Sequence, residues 1–260
     1  MRPRNAFDSA DETPRGESLV IPSVRAHVLI AVALAGALAG CQESGFDESK
    51  ETQRPLKVQD AMNPLTGTKV PGQAERPATL TADTLGDTLA LDVKPVVAAN
   101  VPPYMRDDAR GVRVLSDTDL SAIRAATPDV ILAVKKDQGD EYDALMKIAP
   151  TIMTDEDDWK LNLREHGEAL GRTNDAEHLL SDWDSRLANV SRALGDRDVS
   201  VRLAGRAKPG PVGMAVLADL GIRAGAGADQ VLRMPAGAEW TGAGGLLGAR
   251  TVLEDVANAL

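Results

Sequence analysis

Aromatic side chains are almost missing from this chain: two Phe, two Tyr and three Trp make up 3% of its 260 residues. With 43% of residues hydrophobic, any core must be filled by Ala, Leu and Val. Cysteine is nearly absent too. The single Cys41 excludes an internal disulfide framework and any CxxC metal or redox pair. Positive charge is in deficit. A net charge of -10 with no Lys/Arg-rich block excludes a nucleic-acid surface. Catalytic signatures are missing as well: there is no GxSxG, Walker loop, HExxH or EF-hand loop. Of the three histidines, His27 lies in an N-terminal apolar region, and His166 and His178 are split by Gly171, so none share ligand spacing. "GAGAG" and "GAGG" lack the strand-then-helix setting of a dinucleotide loop. "DEDD" at 155–158 reads as the acidic start of a helix. The expectation is a non-enzyme with no cofactor and no resident metal.

What is present begins with "VLIAVALAGALAGCQ", residues 28–42, the most apolar stretch of the chain. From Arg25 to Cys41 a basic residue leads into an apolar run and then small residues, the order of a secretory signal. The run is shorter than the roughly 20 apolar residues a bilayer span needs. Leu38-Ala39-Gly40-Cys41 resembles a bacterial lipobox, which implies lipidation of Cys41 and an anchor on the extracytoplasmic face of the cell membrane, or in the periplasm. Residues 1–24 are polar and carry both charge signs, so a start nearer Val20 or Val24 is expected. Residues 1–40 are thus a signal peptide with an extended N-terminus. Residues 41–77, rich in Glu, Gln, Thr, Pro and Gly, read as a disordered, lipidated tether.

Folding signals start at Ala78. "ATLTA", "KPVVAA", "RVLS", "DVILAV" and "TIMT" read as strands. "DTLGDTLALD", with an Asp cap, "DTDLSAIRAATP" and "EYDALMKIAP" read as helices between them. "DVILAV" is continuously apolar, as in a parallel sheet covered on both faces. The alternation implies βαβ units and a mostly parallel sheet. "DDWKLNLREHGEAL" is a helix closed by a C′ glycine, Gly171. "NDAEHLLSDWDSRLANVSRAL" starts at an Asn/Asp cap and carries one apolar stripe: Leu180, Trp183, Leu187, Val190 and Leu194. Over 175–194 it spans roughly 30 Å at 1.5 Å per residue. "VSVRLAG" reads as a strand, and "MAVLADLGI" and "LGARTVLEDVANAL" as helices. "RAGAGADQ" and "PAGAEWTGAGG" read as loops, and no apolar strand is visible between Ile222 and Gly237.

Taken together, "TLALDVKPV", "DLSAIRAATPDVILA", "YDALMKIAPTI", "VLADLGI" and "EWTGAGGLLGARTVLEDV" resemble, in order, passages of the iron–siderophore substrate-binding proteins of ABC importers. The resemblance implies an α/β fold of two lobes joined by one long helix: an N-terminal lobe at 78–171, the inter-lobe helix at 172–196 and a C-terminal lobe at 197–260. In that family some tens of residues separate the "VLADLGI" helix from the closing loop. Here Ile222 to Gly237 is all that joins them, so the second lobe is shortened, either pared down or cut by an internal deletion. The implied function is extracytoplasmic capture of a ferric siderophore by a monomer and delivery to an ABC permease. A truncated, non-transporting surface lipoprotein and a binder of haem or cobalamin are the alternatives.

Ligands in such folds bind outside the carboxyl ends of the strands. Tyr104, Arg106, Lys136 and Gln138 on the first lobe and Trp240 on the second fall in loops at such ends. Aromatic faces and cationic or amide donors suit a chelate whose iron is already coordinated. Arg106 and Lys136 read equally as solvated loop charges, and Trp240 as a core aromatic. Tyr142 and Trp159 read as packing. Where the family often has a ligand-facing arginine this chain has Leu115, with Arg113 two residues earlier. Asp117 stands where the family has a permease-docking glutamate, and it reads also as the polar start of its helix.

Overall fold

The computed structural model describes residues 54–155, 158–225, 227–234, 237–242 and 244–260. The signal segment and Cys41 lie outside the described residues.

Folding starts earlier than composition suggests. β1 (Leu56–Val58) pairs antiparallel with β2 (Thr68–Val70), burying Val58 and Val70 and leaving Lys57 and Lys69 exposed. The expected disordered tether through residue 77 is therefore corrected. These strands have only three residues each, too few for a period-2 signal to stand out among Pro and Gly. The hairpin is fastened by Asp60, which is fully buried. Its carboxylate accepts from the Thr68 hydroxyl at 2.6 Å, the Tyr142 hydroxyl at 2.7 Å and the Met62 and Met153 N–H groups at 3.0 and 3.3 Å. Tyr142, read as packing, thus also binds the hairpin through its hydroxyl.

The first lobe runs β3 (Pro77–Thr79), α1 (Ala82–Ala90), β4 (Val97–Ala99), β5 (Arg113–Leu115), α2 (Leu120–Ala125), β6 (Val130–Val134), α3 (Lys135–Gln138), α4 (Tyr142–Met146) and β7 (Thr151–Thr154). All five strands from β3 onward are parallel, in the order β5-β4-β3-β6-β7. The chain moves outward from β3 to β5 and then returns to the other side of β3. β6, continuously apolar, is buried along its whole length. Ala61 N–H donates to the Met153 carbonyl at 2.8 Å, so the hairpin turn covers part of the β7 edge. The cap of α1 is Thr81, in a reciprocal box with Thr84, not the expected Asp. That leaves the carboxylate of Asp83 available elsewhere.

α5 (Trp159–Ala169) is capped by Asp158, whose Oδ1 accepts from the Lys160 and Leu161 N–H groups. Gly171 follows with φ +69°, the left-handed conformation a C′ position needs. α6 (Thr173–Leu194) has 22 residues, about 33 Å at 1.5 Å each. It begins before the expected Asn/Asp cap, and no side chain caps its start. Leu180, Trp183, Val190 and Leu194 of its stripe are buried and Leu187 partly so. Trp183 meets Trp159 edge-to-face, centroids 4.9 Å apart at 82°. Both indoles are packing residues.

The second lobe is built from β8 (Val199–Leu203), α7 (Pro211–Asp219), β9 (Arg223–Ala224), β10 (Gln230–Met234), α8 (Ala238–Thr241) and α9 (Gly245–Ala259). β10, β8 and β9 form a parallel sheet in that order. The expectation that no strand lies between Ile222 and Gly237 is corrected by β10. In "QVLRM", Leu232 and Met234 point inward and Val231 and Arg233 outward, so only alternate residues are apolar and buried. The molecule is a two-lobe α/β fold whose second lobe has three strands among the described residues. α9 packs against α1 of the first lobe as well as against α6 and α7. One continuous core therefore runs from Leu132 and Ile152 through Trp183 to Val201 and Leu253.

Candidate functional site

Both sheets end in recesses. The first lies beyond the carboxyl ends of β4 and β5, has a volume of about 550 Å³, and is lined by Asn100, Arg106, Val114 and Ser116 among others. The second lies beyond β8 and β9, measures about 760 Å³, and is lined by Arg202, Leu203, Lys208, Pro209 and Met214 among others. Each is large enough for a small organic ligand. Parallel strands deliver successive loops to one edge, which is why residues distant in sequence converge there.

A chain of close contacts joins the two recesses. Arg106 follows the 3₁₀ turn Pro103–Met105, and the hydroxyl of Tyr104 in that turn rests on Gly244: a Cβ on Gly244 would lie 2.1 Å from it. Gly210, next to Pro209, donates its N–H to the Trp240 carbonyl at 2.7 Å, and a Cβ there would lie 2.5 Å from the Gly242 carbonyl oxygen. Gly242 and Gly244 of the glycine-rich closing loop thus lie against the loop after β8 and the first-lobe turn respectively.

This loop is fixed from beneath by carboxylates of α1. Asp83 Oδ1 accepts from the N–H groups of Gly244 at 2.6 Å and Gly245 at 2.7 Å, and Asp87 Oδ1 from Leu246 N–H at 2.8 Å. These are orphan donors at the N-terminus of α9, where negative charge is favoured. Asp87 Oδ2 in turn accepts from Nδ1 of His166 on α5 at 2.8 Å, both side chains being fully buried. Burial pushes the Asp83 carboxyl up, against the two backbone donors that pull it down.

A third recess, about 460 Å³, lies beyond β6 and β7 and is lined by Gln59, Lys135, Asp155, Asp158 and Glu165 among others. Burial pushes the Glu165 carboxyl up to about 7, with nearby carboxylates adding to the shift and His166 opposing it.

The expected ligand residues divide. Arg106 lines the first recess, and Tyr104 sits at the junction of the lobes. Lys136 is exposed on α3 and lines neither strand-end recess. Gln138 is corrected: its side chain is buried and its Oε1 accepts from Val134 N–H at 3.2 Å, closing the end of β6. Trp240 is corrected as well. Its ring is fully buried and its Nε1–H donates to Asp255 at 2.8 Å, so it anchors α8 on α9 and presents no face to a cleft. Asp117 is exposed in the bend before α2. Asp119 caps that helix instead, accepting from the Ser121 and Ala122 N–H groups.

Arg202 and Lys208 were not foreseen. Their signal was a basic residue near the end of "VSVRLAG" and another in the loop after it, a pattern too common to single out. The Asp83–Asp87–His166 cluster carried no local signal, because His166 stands 79 residues from Asp87. Among the described residues no group of His, Cys, Asp and Glu is arranged to hold a metal ion, and no helix is long and apolar enough to cross a membrane.

Two α/β lobes on one long helix, with recesses at the strand ends, make up the architecture shared with the similar solved structures. The periplasmic binding protein family model matches residues 78–222, more than half the chain, and the chain belongs to that family. A curated relative, the probable siderophore-binding lipoprotein YfiY of Bacillus subtilis (strain 168), is 28% identical over 173 residues, covering 62% of this chain and 53% of YfiY. The chain thus spans about half the length of that relative. Among solved structures, Staphylococcus aureus SirA complexed with staphyloferrin B is similar with a TM-score of 0.64 and 20% identity, covering 78% of this chain and 98% of SirA. The petrobactin-binding protein YclQ of Bacillus subtilis has a TM-score of 0.61 and 15% identity, covering 79% of this chain and 98% of YclQ.

Proposed function

We propose that this protein captures a ferric siderophore outside the cytoplasm and presents it to the permease of an ABC importer. The observation that carries the reading is the pair of recesses at the carboxyl ends of two parallel sheets, joined through Tyr104, Gly244 and Gly242. The siderophore-binding relative, together with the staphyloferrin B complex and the petrobactin-binding protein among the similar folds, supports the same ligand class. The iron arrives already coordinated as cargo, so the protein needs no metal ligands of its own and no catalytic group. Its work is burial and hydrogen bonding. Cys41 is the proposed lipidation site that holds the chain on the extracytoplasmic face of the membrane as a monomer. Asp117, exposed on the first lobe, is the proposed permease contact.

Thermal unfolding in the presence of ferric siderophores tests the reading. A ligand bound only by the folded chain stabilises it by RT ln(1 + [L]/Kd), about 2.7 kcal/mol at a hundredfold excess over Kd. An unchanged melting temperature with catecholate, carboxylate and hydroxamate complexes alike overturns it.

A further inference from the structure

The recess beyond β4 and β5 and the recess beyond β8 and β9 carry positive charge in a chain that has a net charge of -10. Arg202 and Lys208 line the second recess and Arg106 the first, and neither recess is lined by an Asp or Glu. Six cations elsewhere, Arg110, Lys160, Arg164, Arg172, Arg186 and Arg223, each meet a carboxylate. Among the described residues the side chains of Arg106, Arg202 and Lys208 meet none. Arg202 also stands in register with Arg233 on β10, both exposed. Like charges directly opposite on paired strands repel, a cost that an anion placed beside them removes. Asp155, Asp158 and Glu165 line a different recess, beyond β6 and β7.

From this separation of charge we infer that the chelate held between the two recesses is a net anion. This rests on the siderophore-binding reading. Ferric iron bound by three catecholates, or by an excess of carboxylates, carries surplus negative charge on outward oxygens. Arginine forks match such oxygens with paired hydrogen bonds. The core of a tris-hydroxamate complex is neutral and would cover these cations without compensating them. Val114 and Met214 supply apolar surface beside the charges. A local positive field in an otherwise negative molecule also draws an anion toward the recesses.

Isothermal titration calorimetry of the purified protein tests this with ferric enterobactin and ferric dicitrate as anions, neutral ferrichrome and cationic ferrioxamine B. At least one anionic complex is expected to bind about tenfold or more tighter than either of the others at low ionic strength, with the margin shrinking as salt screens the charges. The Arg202→Ala, Lys208→Ala double variant is expected to lose about tenfold in anion affinity while hydroxamate affinity changes less than about twofold. Ferrichrome or ferrioxamine binding as tightly as the anions overturns the inference and leaves the siderophore reading standing. So does an anion affinity indifferent to the double variant. Failure of all four complexes to bind protein shown to be folded by circular dichroism overturns both.

Discussion

Asp87 on α1 and His166 on α5 form a fully buried pair, Oδ2 to Nδ1 at 2.8 Å, and the other Asp87 oxygen holds the first turn of α9 through Leu246 N–H. One carboxylate therefore ties the last helix of the chain to the first helix of the first lobe. The glycines around it have no room for a side chain. A Cβ on Gly245, at φ +51°, would fall 2.1 Å from Asp87 Oδ1.

Removing either member of this pair leaves the other buried without its partner. Asp87→Ala and His166→Ala are each expected to lower the unfolding free energy by about 3 kcal/mol, the range for a broken buried pair. Urea unfolding followed by circular dichroism measures it. A loss under about 1 kcal/mol for both would mean that the contact contributes little to holding α9 in place.

Gly86 provides a test of sign. Inside a helix, Gly→Ala stabilises by about 1 kcal/mol on propensity alone. Here a Cβ would lie 2.2 Å from the Gly244 carbonyl oxygen, backbone that cannot move without dragging α9. Gly86→Ala is therefore expected to destabilise the protein, and a raised melting temperature would show that the lobes do not meet this closely in solution.

Glu165 gives a pH dependence. Its carboxyl is raised to about 7 by burial, so the folded state favours the protonated form. The favourable contribution is complete below the ordinary carboxylate range and disappears as pH rises through about 7. Glu165→Gln removes the titration. Relative to wild type, the variant is expected to gain stability between about pH 5 and about pH 8. Melting temperatures of both proteins across that range decide it, and a constant difference refutes the assignment. The effect is small, since Glu165 is partly open to solvent.

Trp240 separates packing from recognition. Trp240→Phe leaves the Asp255 carboxylate without its indole donor and opens a small cavity, so a loss of about 2 kcal/mol is expected. Chelate affinity, measured by calorimetry below the lowered melting temperature, is expected to stay within about twofold, because the ring is buried away from the recesses. A large affinity loss with stability intact would restore Trp240 to the site.

The residue pattern alone fixed the alternation of strands and helices from β3 to β7 and the α6 stripe, because each rests on periodicity or on local order along the chain; the two-lobe class came from the family resemblance. It also placed Arg106 at a strand end. Three-residue strands such as β1 and β2 escaped, since so few residues cannot establish a period, and β10 escaped because its outward residues hide its inward ones. Only the tertiary structure decided which polar groups remain for a ligand. Gln138 and Trp240 look available in sequence, but Val134 and Asp255 occupy their hydrogen-bonding groups. Arg202 and Lys208 look ordinary, but parallel pairing brings them to a rim without a carboxylate. A side chain's type is local, whereas its partners come from segments that meet only when the chain folds, and the partners determine whether its charge is spent inside the protein or left for something else.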